Sequence, residues 1–266
     1  MTSDLYHLCV VIVMEFFVDK NSIVRTIWGK SDTVLFIFAG SAAEFALNKA
    51  VDWLYFTGRL PADPIGRLFS TVGYAKRIIF SEKQEAFDTI DQIASIHNAI
   101  ENKREDVIPD WAYRDVLFML IYYSIASFEL LERKLTDDEK EEVYQVFYRT
   151  GSRMKLKQLP ANYNDWLVAR KQHLQNDLQR SEYTLDLFRQ YKKHLGAGRY
   201  KILVESQLLV VPDQVKELLE FRKFSLLKPA VPVYKLIRKF NLDSLVKAIL
   251  LPPAYKKEIK ELDIVI

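Results

Sequence analysis

Ile93-Ala94-Ser95-Ile96-His97-Asn98-Ala99-Ile100-Glu101 lies in the middle of a segment whose apolar residues recur at Ala86, Ile90, Ile93 and Ile100. Steps of four, three and seven mark one face of an α-helix. His97 fills the gap in that series, four after Ile93 and three before Ile100, so an imidazole occupies a core-facing position. Burying an imidazole is costly unless its nitrogens are hydrogen-bonded or hold a metal. The helix alone leaves both readings open: a structural histidine, or a metal or haem ligand.

Working outward, Ser81-Glu82-Lys83-Gln84 has the Ser-x-x-Gln form of a capping box and predicts the start of this helix. On the N-terminal side, Asp63 is a good N-cap and Pro64 a good first helical residue, predicting a helix to about Ile79. Along it Arg67, Ser70, Thr71 and Tyr74 stand at i, i+3, i+4 and i+7, one continuous polar stripe opposite Ile65, Leu68, Phe69, Val72, Ile78 and Ile79. Such a stripe normally faces water; beside a core histidine it could also be one wall of a pocket. Further back, Asp32 is read as the cap of a long helix over 33–57 ended by Gly58. Its first half is apolar all round and rich in small residues, fit for close approach by another backbone or a flat ligand. Glu44 interrupts it, and is read either as the edge of a helix contact or as a functional carboxylate.

Downstream, Asp110 opens a helix containing Val116 to Phe128, thirteen residues without a charge. That is short of the roughly 18 needed to span a bilayer and reads as a buried core helix. Thr136-Asp137-Asp138-Glu139 is a second capping box, starting a helix to about Met154. After the Leu159-Pro160 break, helices are expected over 164–179, 184–195 (closed by Gly196 and Gly198), 200–211, 213–223, 231–240 and 244–250. His173 and His194 follow Gln172 and Lys193 in charged runs and read as helix-surface residues. No period-2 strand, internal repeat or low-complexity tract is found. The expectation is all-α, one compact multi-helix domain over 21–266, its centre at 30–180 with a C-terminal helical layer over 181–266.

Composition agrees. With 266 residues, 49% hydrophobic and 27% charged, the chain can bury a large core. A net charge of +3, with bases interleaved among acids, gives no argument for nucleic acid. The single cysteine, Cys9, excludes an internal disulfide framework, a zinc ribbon and a Cys-x-x-Cys-His haem attachment, and suits a reducing compartment. The N-terminus lacks a basic region before Leu8–Met14 and a cleavage site after it, so it is a poor signal peptide. Residues 1–20 read as a doubtful extension, with Met14 as an alternative start. Nucleotide-binding glycine loops, Glu-x-x-His, His-Glu-x-x-His and Gly-x-Ser-x-Gly are all absent.

Five motifs in order carry a family resemblance: Phe38-Ala-Gly-Ser-Ala-Ala-Glu-Phe-Ala46, Asp63-Pro-Ile-Gly-Arg-Leu-Phe-Ser-Thr-Val-Gly-Tyr74, Ile96-His97, Tyr113-Arg-Asp115 with the apolar helix after it, and Leu135-Thr-Asp-Asp-Glu139. Over about residues 30–180 the series resembles the catalytic domain of the rubber oxygenase, or latex-clearing protein, family, which also takes in the fungal ER-bound oxygenase of mycophenolic acid biosynthesis. The resemblance implies an all-helical fold with a globin-like core, a b-type haem, and cleavage of an isoprenoid double bond with dioxygen. It implies His97 as the haem-iron ligand and Arg67 and Thr71 as polar residues on the distal side. Four features depart from the rubber oxygenases. Ser70 stands where they have a lysine before the threonine, and Ala94 and Glu101 stand where they flank the histidine with arginines. Glu44 is a weak counterpart of their pocket carboxylate.

The expected function is therefore a haem b-dependent oxygenase, with Arg67 and Thr71 as catalytic and cofactor-binding residues and His97 as the metal ligand. It would act with dioxygen on an apolar, isoprenoid-like small molecule or lipid, in the cytoplasm or at a membrane periphery. Two alternatives stand beside it. One is a non-catalytic haem protein. The other is a haem-free lipid-binding protein using the basic-amphipathic Val233–Phe240 segment.

Overall fold

The computed structural model describes residues 15–58 and 62–240. Among these the regular elements are all helices: α1 Ile23–Trp28, α2 Ser31–Phe45, α3 Asp52–Phe56, α4 Pro64–Phe80, α5 Lys83–Arg104, α6 Asp110–Leu131, α7 Asp137–Arg153, α8 Tyr163–Asn176, α9 Glu182–Val210, α10 Asp213–Leu218 and α11 Ala230–Lys239. The structure is all-α, as the periodicities require. The expected helix over 244–250 and residues 1–14 lie outside the described residues.

The α2–α6 pair is the axis of the molecule. Both helices are apolar nearly all round, and a helix of that kind must be enclosed by others. They meet where Gly40 faces the fully buried Tyr123 ring. A Cβ at Gly40 would stand 2.2 Å from Tyr123 Cδ1, so only glycine permits this approach. Around the pair lie α1 and α7, which share Trp28 and Phe147 in the main core, with α4 and α9 on the other sides. Trp28 also ties down α6, its Nε1 donating to Ser124 Oγ at 3.1 Å.

Several local signals are realised. Asp63 caps α4 by accepting from Gly66 N at 2.8 Å, with Pro64 in the first turn. Thr136 and Glu139 make a reciprocal capping box on α7. Gly58 adopts φ +68° just beyond α3. Others are not. The long helix over 33–57 breaks after Phe45. There Asn48 leaves the helix to donate to Asp115 Oδ2 at 3.0 Å and accept from Ala50 N at 2.8 Å, and the chain restarts as α3. Asp32 does not cap α2 but sits in its first turn, paired with Arg238. The Ser81–Gln84 box does not form. Glu82 is the N-cap, Lys83 N donates to Glu15 O at 2.8 Å, and Gln84 turns to Asp88. Residues 15–18 thus meet the start of α5, and Phe17 and Val18 are buried in the core. At Gly196 (φ +73°) the chain kinks but resumes helix at once, so two expected helices run on as α9. The expected 213–223 helix stops at Leu218.

Candidate functional site

A cavity of about 310 Å³ lies between α2, α4, α5 and α6, lined also by Trp53 of α3, Val146, Phe147 and Thr150 of α7, Met154 just beyond α7 and Tyr191 of α9. That volume is at the small end of the usual range for small-molecule sites, about 300–1,000 Å³. Its walls are mostly Ile, Leu, Phe, Ala and Met, the half-polar exceptions being grouped. Arg67, Thr71 and Tyr74 from α4 and His97 and Tyr113 from α5 and α6 all line it. The stripe that sequence alone would turn to water therefore faces inward at three of its four positions; Ser70 is exposed. The helical spacing places Arg67, Thr71 and Tyr74 on one face of α4, and α5 packs back against α4 so that His97 joins them.

His97 is half-buried, and its Nδ1 is fully enclosed with no hydrogen-bond partner among the described residues. Burial, aided by the Arg67 guanidinium and opposed by Glu101, lowers its pKa to about 4. At neutral pH the ring is uncharged, with a lone pair available. Its neighbour is Tyr113, whose ring centre lies 5.0 Å away and whose hydroxyl donates to Glu101 Oε1 at 3.0 Å. Glu101 also accepts from Ile108 N at 2.9 Å, so it clamps the end of α5 to the start of α6. Arg67 Nη1 donates to Ser70 Oγ at 3.2 Å, and Thr71 Oγ1 donates to Arg67 O at 3.2 Å.

Behind the cavity wall lies a polar cluster that sequence reasoning missed. Glu44 is fully buried, not at an edge. Arg170 of α8 meets it with both guanidinium nitrogens, Tyr123 donates to its Oε2 at 2.9 Å, and His173 Nε2 stands 3.0 Å from its Oε1. His173 is likewise buried, not on the surface, and its Nδ1 lies 2.6 Å from Asp115 Oδ1 and 3.5 Å from Asp177 Oδ2. Trp166, Arg170 and His173 stand at i, i+4 and i+7, an inward face that outweighs the charged neighbours at 171 and 172. Burial would drive the carboxylate of Glu44 up, but the Arg170 charge prevails and holds its pKa down to about 2. Burial opposes the charge on His173, yet Asp115 and Glu44 raise its pKa to about 9. Two anions thus face two cations. Asp115, His173 and Asp177 bring ligand-type atoms within 4.8 Å of one another, a largely buried group that could hold a metal ion. His194 is half-buried, its ring nitrogens near Gln190 O and Ala62 O.

A family model for the catalytic domain of the ER-bound oxygenase mpaB/B′ and rubber oxygenase matches residues 28–258, a span that contains every residue lining the cavity. The chain belongs to this family. Neither a curated protein nor a solved structure matches it. Family membership makes this an oxygenase catalytic domain, whose chemistry requires an oxygen source and an organic substrate. No helix among the described residues is long and apolar enough to cross a membrane.

Proposed function

We propose that the chain is a haem b-dependent oxygenase that brings dioxygen to an apolar, isoprenoid-like substrate in the α2–α4–α5–α6 cavity. The observation that carries this reading is His97: a neutral imidazole with an unpartnered, enclosed nitrogen beside an otherwise apolar cavity. Hydrogen-bonded structural histidines do not leave a buried nitrogen orphaned. The donor set fits haem, which asks for one strong nitrogen ligand, an apolar slot and a cation nearby. His97 would hold the iron, and Arg67 and Thr71 would supply the polar edge. When bound, haem supplies the one-electron and dioxygen chemistry that no side chain here can provide.

The chain's own contributions follow from the geometry. The apolar walls exclude water and accept a hydrocarbon. Arg67 would supply positive charge and N–H donors toward charge that develops on oxygen, and Thr71, whose hydroxyl donates to Arg67 O in the structure, would contribute once that bond is exchanged. The Glu101–Tyr113 brace fixes the wall against which the His97 ring rests. Ser70, turned to solvent, leaves the cavity without a lysine.

Haemin titration of the purified chain tests the reading. Wild type should develop a sharp Soret band at one equivalent, and His97→Ala should lose or shift it. Failure of wild type to take up haemin would end the haem reading. Oxygen consumption on a polyprenyl or unsaturated lipid by the loaded protein separates an oxygenase from a haem carrier.

A further inference from the structure

Helix α11 is attached to the molecule the wrong way round. In an ordinary surface helix the apolar stripe packs inward and the charges face water. Here the polar face is the docked one. Tyr234 donates to Asp32 Oδ2 at 3.0 Å, Arg238 Nε lies 2.7 Å from the same oxygen, and Lys235 Nζ donates to Glu132 O at 2.8 Å. The opposite stripe, Val233, Leu236 and Phe240 at i, i+3 and i+7, stands 53–68% exposed. The segment leading into the helix continues the pattern, with Phe224 68% and Leu226 64% exposed. Single exposed hydrophobics need no explanation; five in one seventeen-residue stretch do.

The charge around this face selects its occupant. Residues 221–240 contain Arg222, Lys223, Lys228, Lys235, Arg238 and Lys239 and no acidic residue. The acids beneath the helix are already matched: Asp32 by Arg238, and Glu132 by Arg238 and Lys30. Outward, Lys223 and Lys228 are exposed, with Lys228 Nζ 5.6 Å over the Phe224 ring. A second copy would bring these cations against their own images. An anionic surface would not, and exposed aliphatic and aromatic side chains flanked by lysines suit the headgroup–acyl boundary of a bilayer.

We propose that α11 and the 224–228 segment form a docking face for the surface of an anionic phospholipid bilayer. The face lies on the α2 start and α6 end, and its action does not depend on haem. An enzyme held there would draw apolar substrate from the membrane rather than from water.

Co-sedimentation of the full chain with phosphatidylcholine vesicles, with and without phosphatidylserine, tests this. Binding should require phosphatidylserine and weaken with salt. Lys223→Gln with Lys228→Gln should lower the partition coefficient roughly thirtyfold. Leu236→Ser with Phe240→Ser, both at exposed positions that leave the fold intact, should lower it at least about tenfold. No binding to anionic vesicles, or undiminished binding by both double variants, overturns the proposal. So does a dimer in light scattering that the Leu236→Ser, Phe240→Ser variant dissociates, since the face would then belong to a second copy. Haemin uptake by the same preparations is a separate readout, so failure here leaves the oxygenase reading untouched.

Discussion

Replacing Glu44 by Gln keeps the shape of a fully buried side chain and removes only its charge. Wild type balances Glu44 and Asp115 against Arg170 and His173 in the dry interior. The variant leaves Arg170, 4% exposed, without its counter-ion. Removing one partner of a buried pair costs about 3–5 kcal/mol, because the remaining charge is stranded. The cluster has one outlet: His173 can give up its proton. In wild type its pKa is raised from 6.5 to about 9, so its stabilising contribution is complete below pH 6.5 and disappears as pH climbs through 9. Each pH unit in that window removes about 1.4 kcal/mol from wild type. In Glu44→Gln, His173 loses one of its anionic neighbours while Asp115 and Arg170 stay, so its pKa falls part of the way back and the window of slope narrows. The difference between the two proteins should therefore be largest near pH 6 and shrink by ~1–2 kcal/mol by pH 9. Urea denaturation of both proteins at the two pH values reads this directly. A difference that is the same at both, or below about 1 kcal/mol throughout, would refute the assignment of His173 as the cation this carboxylate supports.

Other expectations are simpler. Gly40→Ala forces a methyl to within 2.2 Å of the Tyr123 ring, which cannot retreat because its hydroxyl is held by Glu44; a loss of about 2 kcal/mol or more in thermal or urea unfolding is expected, and a neutral result would mean the α2–α6 contact is loose. His97 has the opposite sign to His173. Its folded pKa lies below the unfolded value, so the haem-free chain should lose up to ~3 kcal/mol as pH falls from 6.5 toward 4. His97→Phe should lack that acid-side slope in the same titration. Haemin uptake by wild type and not by His97→Ala, as set out above, completes the set.

Much of this architecture was legible in the chain. Period placed α4 through α7, caps fixed the starts of α4 and α7, and the same periodicity set Arg67, Thr71 and His97 apart. That they share a cavity follows from α5 folding back on α4, which two adjacent helices with a short connection largely dictate. The Glu44–Arg170–His173 cluster was a different matter. Glu44 lies 126 and 129 residues before Arg170 and His173, and those two, taken locally, look like surface charges. Only the Trp166, Arg170, His173 spacing hinted at an inward polar face. The Ser81 box failed for a similar reason: a competing partner, Glu15, comes from 68 residues upstream, and no local pattern registers it. The break after Phe45 is also tertiary, since Asn48 leaves the helix for Asp115.

Helix α5 is held unevenly along its length. The core grips α5 chiefly through its first half, at Ala86, Thr89 and Ile90. The second half, from Ile93 to Ile100, lines the cavity: Ile93 packs on the core, the His97 ring meets Tyr113 at 5.0 Å, and further contacts come at the far end. There Glu101 holds Tyr113, and Arg104 meets Asp52 at 2.7 Å and covers the Trp53 ring at 4.0 Å. From Ile93 to Ile100 the helix has no fully buried side chain, unlike its start at Ala86, Thr89 and Ile90. Its amides between the two fastenings should exchange with solvent faster than those of α6, by an opening that costs less than global unfolding.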